Sequence, residues 1–465
     1  MTTTLDPTAR IGRAAVGAVG ALALATGALE SVVTPTLPLL QQELDMTPAE
    51  GALLSIVLLI TGALITPIAG KLGDQYGGKR VMIRLMAVVS AGGLVSAIAP
   101  NLPVLLVGQV LQGAMVGALP LSFIVVRKNL SEGDSKVAIG VVSGLFIGGT
   151  MVGMLSAGPV AETLSRHWMF ALPTFAVIAC TIAVSRLLPN DPPAGSARAR
   201  MDWPGLGLLS GTLITLMLVL ALAPEMTAQP LALAALVVVL VAFATGWVAV
   251  ERRVPAPMID LSMLARPAIW KACVLTFVIC LGTSVAVYLV PQLFAVPTEA
   301  YGFGASATQI GFFLLPGAVA ASLAGPLGGL GARRYGSRVV VTAGIVMMTA
   351  SLIAVAVVHT EVWHLVIGKM LIALANGLCV TAMMTGTATA VDQGDTGIAT
   401  SLVLVTRVVG FAVGAQLAGA LLTAATPAGS DVPAESAFVN GFVIAGVVTA
   451  LALLVARTMN RGITA

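Results

Sequence analysis

Apolar runs of about twenty residues follow one another along the whole chain, and they constrain the fold more than any other feature. A helix needs about 20 mostly apolar residues to cross the hydrocarbon core of a bilayer. We predict one spanning helix from each of fourteen such runs, so that the chain is an all-α membrane protein with 14 transmembrane helices. The runs lie at 14–38, 51–70, 85–99, 104–126, 137–161, 167–187, 203–223, 229–250, 272–292, 307–330, 339–358, 362–390, 397–423 and 437–456.

The scarcity of charge excludes several classes of function. Charged residues make up only 9% of the chain, against about 25% in soluble domains. The basic residues occur in short groups between apolar runs, so no nucleic-acid partner is expected. The four cysteines lack CxxC or Cys/His spacing, which predicts no metal site. With no nucleophile–base pair or phosphate-binding loop, we expect no enzyme activity and no cofactor, and the lipid bilayer as surroundings.

The distribution of basic residues indicates the orientation. Cytoplasmic loops of membrane proteins collect Lys and Arg. If the N-terminus is cytoplasmic, all of the 24 lysines and arginines fall on the cytoplasmic side except Arg166, Lys369 and Arg407. An even number of spans with both termini in the cytoplasm follows, and a multi-pass protein of the bacterial inner membrane is expected.

An internal repeat divides the chain. The segment from Pro67 to Gly77 (PIAGKLGDQYG) resembles the segment from Pro326 to Gly336 (PLGGLGARRYG), at an offset of 259 residues. LVGQVL at 106–111 resembles VIGKML at 366–371, at an offset of 260 residues. Six spans plus an inserted pair account for this offset. We therefore predict an N-terminal six-helix bundle at 14–189, a cytoplasmic linker at 190–202, an inserted helix pair at 203–250, a cytoplasmic loop at 251–271 and a C-terminal six-helix bundle at 272–457.

The sequence GKLGDQYGGKR, from Gly70 to Arg80, resembles the signature of the major facilitator superfamily in the loop between the second and third helices. The residues that match this signature are Gly70, Leu72, Gly73, Asp74, Gly77 and Lys79, whereas Gln75 and Gly78 replace expected basic residues. The resemblance implies that the loop, with Arg80 at its end, takes part in conformational gating. By the same analogy, the Asp74 carboxylate is expected to accept hydrogen bonds from the N-terminus of the thirteenth span, near Thr396.

The glycine-rich run GVVSGLFIGGTMVGMLSAGP in the fifth span resembles the antiporter motif of drug exporters. Glycines four residues apart, such as Gly149 and Gly153, leave a smooth face against which another helix can approach closely. Gly158 is followed by Pro159, which kinks or ends a helix. A direction-setting role in gating is one interpretation of this run, and a plain packing face is the other.

Fourteen spans with an extra pair between the halves resemble the fourteen-helix drug:proton antiporter branch of the superfamily. This resemblance implies two six-helix bundles, alternating access, and export of a drug, antibiotic or metabolite driven by protons, by a monomer. An uncoupled facilitator and a proton-coupled importer of a small anionic or neutral metabolite remain alternatives. A receptor or membrane enzyme is disfavoured.

Ionisable residues inside spans are costly to insert and so are candidates for function. Glu30, in the first span, corresponds to an acid that drug antiporters carry nearby, and we predict that it is the proton carrier. Lys369 lies in the twelfth span, and its repeat partner in the fourth span is Gln109. The family commonly has an arginine at the position of Gln109, followed by the Gln-Gly that is kept here as Gln112-Gly113.

The substrate is expected to contact Lys369, Gln109 and the other polar residues inside the spans. Arg407, in the thirteenth span, is a fixed positive charge that binds an anion, pairs with Glu30 or holds helices together. One acid and two bases in the spans predict an anionic, zwitterionic or neutral substrate. The further predicted substrate-binding residues are Gln112, Tyr288, Gln292 and Asn376.

Overall fold

The computed structural model describes residues 12–44, 46, 48–189, 202–222, 230–254, 261–305, 307–426 and 432–458. Every secondary-structure element assigned within these ranges is a helix. Each predicted run lies on one helix, except that the runs 14–38 and 104–126 are each divided between two. Eleven helices in the described part are long and apolar enough to cross a membrane, and shorter apolar helices lie at Ala14–Glu30 and Trp203–Leu216. An all-α membrane protein is thereby confirmed, while the count of fourteen spans stays a prediction.

The described residues fall into two compact units. The first unit takes its residues from Met1–Ala197 and Ala388–Thr400. Its helices are α1 (Arg13–Glu30), α2 (Val33–Glu43), α3 (Pro48–Tyr76), α4 (Gly78–Ala97), α5 (Leu102–Gly113), α6 (Ala118–Asn129), α7 (Glu132–Thr163) and α8 (Arg166–Leu187). Within it, α1 packs on α7 and α8, and α4 packs on α5 and α8.

The second unit takes its residues from Arg198–Thr387 and Ser401–Ala465. Its helices are α9 (Trp203–Leu222), α10 (Pro230–Glu251), α11 (Leu261–Leu264), α12 (Pro267–Ala295), α13 (Ala307–Tyr335), α14 (Ser337–Val357), α15 (Val362–Thr389), α16 (Thr396–Ala424) and α17 (Glu435–Arg457). α9 packs on α10, while α17 packs on α12 and α14. The first turn of α16 belongs to the first unit and the remainder to the second.

The prediction of one continuous helix over 14–38 needs correction. α1 ends at Glu30, and α2 begins at Val33 after a break at Ser31 and Val32. Proline lacks an N–H, and its ring disfavours a helical carbonyl four residues earlier. Pro35 stands four residues after Ser31, so the sequence itself accounts for a break at this place.

The fourth predicted span, 104–126, is also interrupted. α5 ends at Gly113, a 3₁₀ turn covers Ala114–Gly117, and α6 continues from Ala118. A methyl group at Gly113 would lie 2.5 Å from Cβ of Thr61 on α3, so the glycine permits a close approach of the two helices. The tightened turn thus stands where α3 and the fourth span meet.

Local sequence signals fix several helix ends. The Asn101 side chain accepts a hydrogen bond from the Val104 N–H at 3.2 Å and caps α5. Ser131 caps α7 in the same way, with its oxygen 3.2 Å from the Asp134 nitrogen. Arg127 and Lys128 occupy the last turn of α6, where cations interact favourably with the helix dipole.

The internal repeat is visible in helix boundaries. α3 runs from Pro48 to Tyr76 and α13 from Ala307 to Tyr335, so both have 29 residues and both boundaries differ by the offset found in the sequence. Each helix is followed by a glycine with positive φ, 96° at Gly77 and 83° at Gly336. A left-handed residue at this position favours glycine, which explains why the two segments share it.

All five predicted segments contain residues outside the described part of the chain, and the linker and the loop contain the largest share. Of the predicted linker 190–202 only Asp202 is described, and of the predicted loop 251–271 residues 255–260 lie outside the described residues. The predicted cytoplasmic termini also lie beyond the described part of the chain. The domain boundaries therefore stay predictions.

Candidate functional site

Glu30 is the last residue of α1 and stands directly before the helix break. Its side chain is neither fully buried nor fully exposed. The neighbouring Ser31 hydroxyl donates a hydrogen bond of 2.7 Å to the Thr150 carbonyl of α7. The end of α1 that carries the predicted proton carrier is thus held against the glycine-rich helix.

The glycines of α7 face α1 at the turns before Glu30. A methyl group at Gly149 would collide with the Leu24 carbonyl, and one at Gly153 would collide with the Ala28 carbonyl. On α1, a methyl group at Gly27 would collide with the Phe146 carbonyl. Only hydrogen atoms fit between the two backbones at these positions, so the predicted smooth face is in use as a helix contact.

The prediction that Pro159 kinks or ends its helix is resolved in part. α7 contains Pro159 and continues to Thr163, so the proline does not end the helix. The Thr163 hydroxyl donates a hydrogen bond of 2.7 Å to the Pro159 carbonyl. Gly158 lies in the same helix, one residue earlier.

The turn after α3 carries the residues that resemble the superfamily signature. Gly77 holds its positive φ between α3 and α4, and its N–H donates to the Gly73 carbonyl at 3.0 Å. The Lys79 ammonium donates a hydrogen bond of 2.5 Å to the Leu188 carbonyl, at the end of α8. Arg80 is exposed. A lysine at a helix C-terminus stabilises the carbonyls left unpaired there.

Asp74 contacts the first turn of α16, which belongs to the same unit. Its two carboxylate oxygens accept hydrogen bonds from the N–H groups of Gly397, at 3.0 Å, and Ile398, at 2.9 Å. The expected contact with a helix beginning near Thr396 is therefore present. A methyl group at Gly397 would lie 2.5 Å from the Gly70 carbonyl oxygen, so two glycines allow the approach.

Burial and hydrogen bonding act on Asp74 in opposite directions. Burial disfavours the charged carboxylate and raises its pKa from 3.8 to about 7. The hydrogen bonds from the Gly397 and Ile398 N–H groups and the charge of Lys128 lower the pKa, although by less. Asp74 follows the apolar run 51–70 and therefore lies outside the predicted hydrocarbon core. Its carboxyl has a pKa near neutrality.

A second contact fixes the same segment. The Arg127 side chain donates a hydrogen bond of 3.1 Å from Nε to the Ala388 carbonyl, near the end of α15. Arg127 and Ala388 belong to the first unit, although 261 residues separate them in the chain. The segment Ala388–Thr400 is therefore held at both of its ends by residues of the N-terminal half.

Gln109 and Gln112 are fully buried between α5 and α4. The Gln112 side-chain amide donates to the Ser96 hydroxyl at 2.7 Å, and the Gln109 amide lies 3.3 Å from the same hydroxyl. Oε1 of Gln109 has no hydrogen-bond partner among the described residues. These contacts give both glutamines a role in helix packing, and their predicted contact with substrate stays a prediction.

Lys369 lies on one face of α15 together with Asn376, two turns later. The exposed residues Trp363 and Ile367 lie on the opposite face of this helix, at 100° per residue. A methyl group at Gly317 of α13 would lie 3.6 Å from Cγ of Lys369, so α13 covers the stem of the lysine. No hydrogen bond or ion pair of the Lys369 ammonium is found within the described part of the chain.

Arg407 lies on α16, with its guanidinium carbon 6.0 Å from the centre of the Phe411 ring. One turn later, Gly410 brings α16 close to α12, since a methyl group there would lie 2.7 Å from the Phe277 carbonyl oxygen and 3.1 Å from Cβ of Cys280. The Cys280 thiol is 3.8 Å from Oδ1 of Asn376 on α15. Cys280 therefore stands between the arginine and the asparagine.

The remaining predicted contact residues lie farther along α12. Tyr288 and Gln292 are both exposed and lie one turn apart. A methyl group at Gly419 of α16 would lie 3.6 Å from the Tyr288 hydroxyl oxygen. The structure thus places Tyr288 beside α16, and the predicted substrate contact of Gln292 stays a prediction.

The described residues contain no group of three or more His, Cys, Asp or Glu side chains arranged to hold a metal ion.

Comparison with known proteins identifies the family. The sequence profile of the Major Facilitator Superfamily matches residues 19–291 and 272–461. This chain belongs to that superfamily. The expectation of a transporter rather than an enzyme agrees with this membership.

Several members of the superfamily are similar in sequence. An uncharacterized MFS-type transporter of Mycobacterium tuberculosis is 26% identical over 409 residues, which are 86% of this chain and 58% of that protein. A uridine/deoxyuridine transporter of Lactococcus lactis is 26% identical over 77% of this chain and 75% of its own. A multidrug resistance protein B homolog of M. tuberculosis is 24% identical over 78% of this chain and 67% of its own. The chain thus spans less than two thirds of the length of the uncharacterized MFS-type transporter of M. tuberculosis.

The superfamily fold is also present in solved structures. The human organic anion transporter MFSD10 (TETRAN) aligns with a TM-score of 0.71, at 15% identity, over 96% of this chain and 99% of its own. Identity this low shows a shared fold alone.

Sequence reasoning missed four residues that the structure brings to the candidate site. They are Ser31, Ser96, Cys280 and Phe411. Phe411 had a signal, since it stands four residues after Arg407 and therefore on the same helix face. Ser96 had none, because its link to Gln112 depends on how α4 and α5 pack.

Proposed function

We propose that this superfamily member exports a small molecule, such as a drug, an antibiotic or a metabolite, in exchange for protons. The proposal includes fourteen spans, arranged as two six-helix bundles with an inserted pair. It also includes a monomer that works in the bacterial inner membrane with both termini in the cytoplasm. The proton gradient is the proposed energy source, and no cofactor is involved.

The observation that carries the proposal is the contact between α1 and α7 beside Glu30. Gly149 and Gly153 allow the backbones of the two helices to touch, and Ser31 links the end of α1 to Thr150. A change in how α7 packs therefore acts directly on the turn that holds Glu30. This arrangement supports a carboxyl group that exchanges its proton as the helices move.

The contact of Asp74 with α16 supports a gating role for the signature loop. A charged carboxylate at a helix N-terminus interacts with unpaired N–H groups and with the helix dipole. In the proposed cycle, this contact is made and broken as access alternates, and Gly70, Gly77, Lys79 and Arg80 shape the loop. Gly158 and Pro159 contribute in the same way to the end of α7.

A second candidate function is uptake, or transport without coupling. Gln109 stands where the superfamily's drug antiporters commonly have an arginine, and its side chain packs against Ser96. A relative of similar identity is named a uridine/deoxyuridine transporter. These two observations are the reason to keep a facilitator or a proton-coupled importer as the second candidate.

Proteoliposomes with an acidic interior and an enclosed pH dye distinguish these functions. A panel of cationic, neutral and anionic compounds is added outside, and wild type is compared with Glu30→Gln. Antiport predicts that a substrate raises the internal pH in wild type and not in the variant. Glu43→Gln is the matched control, since Glu43 is exposed and pairs with Arg166 at 2.9 Å.

The other outcomes assign other functions. A pH change that persists in Glu30→Gln would remove Glu30 as the carrier. Flux of a compound without any pH change would support uncoupled transport. Acidification outside the vesicles together with release of a preloaded compound would support symport.

A further inference from the structure

We propose that the second unit binds the acidic group of an organic anion between α12, α15 and α16, with Arg407 and Lys369 as its cationic contacts. The proposal rests on the transport function proposed above and narrows the substrate to one class, a molecule with a carboxylate or similar acidic group and an apolar body.

The first argument is the balance of charge in the helices around this place. α12, α13, α14, α15 and α16 contain no Asp or Glu at any position. Away from their ends, these five helices contain two basic residues, Lys369 and Arg407. Neither has an ion-pair partner within the part of the second unit that the structure describes.

An unpaired cation inside a span is costly, and it usually marks a binding or transport site. Arginine keeps its proton under all physiological conditions, so Arg407 cannot escape this cost by becoming neutral. The cation–π contact with Phe411 offsets only part of this cost. A bound anion would supply the missing negative charge.

The second argument is the convergence of three helices on Cys280. Gly410, one turn after Arg407, allows α16 to pack closely on α12 at Cys280. From the other side, Asn376 of α15 accepts the Cys280 thiol hydrogen bond at 3.8 Å. Since the Asn376 oxygen accepts this hydrogen bond, its NH₂ group remains available as a donor.

The third argument is the position of Lys369. It lies seven residues before Asn376, which places it on the same face of α15 about 10.5 Å along the helix axis. Its side chain is partly exposed although the exposed residues Trp363 and Ile367 lie on the opposite face. The exposure of Lys369 is therefore toward other helices rather than toward lipid.

The same charges select against the opposite class of ligand. Two cations without acidic neighbours repel a lipophilic cation, and like-charge repulsion is an effective source of specificity. The Phe411 ring beside the guanidinium offers an apolar surface for the remainder of the ligand. An amphiphile with one acidic end fits these features.

Equilibrium binding to the purified chain tests this without any proton gradient. The probes are 1-naphthaleneacetate, 1-naphthaleneacetamide and (1-naphthylmethyl)trimethylammonium, which share an apolar body and differ in charge. Isothermal titration calorimetry at pH 7 measures each dissociation constant. We expect the carboxylate to bind at least about tenfold more tightly than the other two probes, because hydrogen bonds to charged groups are stronger than those between neutral groups.

Variants assign the binding to the two cations. Arg407→Gln and Lys369→Gln should each weaken carboxylate binding about tenfold and leave amide binding unchanged. Arg407→Lys should retain part of the preference, and it replaces Arg407→Gln if the latter fails to fold. Arg334→Gln is the control, since Arg334 is an exposed arginine of α13.

Three results would overturn the proposal. They are tighter binding of the ammonium probe to wild type, no binding of any probe up to millimolar concentration, and carboxylate affinity unchanged in both variants. Failure of the transport proposal shows separately, as anion binding with no flux of the anion in proteoliposomes.

Discussion

The Asp74 carboxylate accepts a hydrogen bond from the Gly397 N–H at 3.0 Å, across 323 residues of sequence. The Ile398 N–H donates to the second oxygen, so the carboxylate uses both oxygens on the first turn of α16. Two backbone donors and a helix dipole converge on one buried acid, which makes the contact dependent on its charge.

Replacing Asp74 with Asn should loosen the first turn of α16. The amide keeps the size of the side chain but loses its charge and one of its two acceptors. In a background without the four native cysteines, and at about pH 8, where the Asp74 carboxyl is ionised, we expect Asp74→Asn to increase maleimide labelling of Ala399→Cys several-fold, since Ala399 is fully buried. Glu132→Gln, at an exposed acid paired with Lys136, should leave the rate unchanged. Equal rates with and without Asp74→Asn would show that the contact does not hold this turn.

The raised pKa of Asp74 predicts a dependence of stability on pH. The folded protein keeps the proton up to about pH 7, whereas the unfolded chain releases it near 3.8. The contribution to the free energy of unfolding is therefore fully present below pH 3.8 and is lost as the pH rises through about 7. The apparent melting temperature of wild type relative to Asp74→Asn should fall between pH 4 and 7 and level off above. A difference that rises over this range would mean that the hydrogen bonds outweigh burial.

Gly149→Ala should destabilise the first unit. The added methyl group collides with the Leu24 carbonyl of α1, and overpacking of a tight contact costs about 1–3 kcal/mol. Gly17→Ala on α1 is a matched control, because nothing lies within 4 Å of a methyl group there. The control should be neutral or stabilising by up to about 1 kcal/mol, from helix propensity alone. Thermal unfolding in detergent measures both, and equal melting temperatures would contradict the close packing of α1 on α7.

Gln112→Met should lower stability without changing ligand affinity. The substitution leaves the buried Ser96 hydroxyl without its shorter amide partner, which costs about 1–3 kcal/mol. Ser96→Ala should cost less in the Gln112→Met background than in wild type, because the two groups share one interaction. A loss of affinity for a transported compound without a loss of stability would instead support the predicted contact of Gln112 with the substrate.

The helix positions could be predicted from the sequence because span length and turn chemistry are local properties. The offset between the segments at Pro67 and Pro326 carried over to the boundaries of α3 and α13. The break after Glu30 was missed, although Pro35 contains the signal, because hydropathy alone does not register a backbone clash.

The arrangement of the candidate site could be predicted only where family resemblance supplied a partner. The contact between Asp74 and α16 was expected in this way. The placement of Gln109 and Gln112 against Ser96 was not, since sequence shows that a polar residue lies in a helix but not which neighbouring helix it faces. The convergence of Arg407 and Asn376 on Cys280 depends on the packing of three helices that are distant in sequence.

The repeated turn has a consequence for how the two halves use charge. Gly77 and Gly336 give the same backbone shape, yet the residue equivalent to Asp74 at the offset of 259 is Arg333. A carboxylate only accepts hydrogen bonds and favours the start of a helix, whereas a guanidinium only donates and favours a helix end. The two copies therefore keep one backbone geometry, while their opposite charges suit opposite ends of a helix.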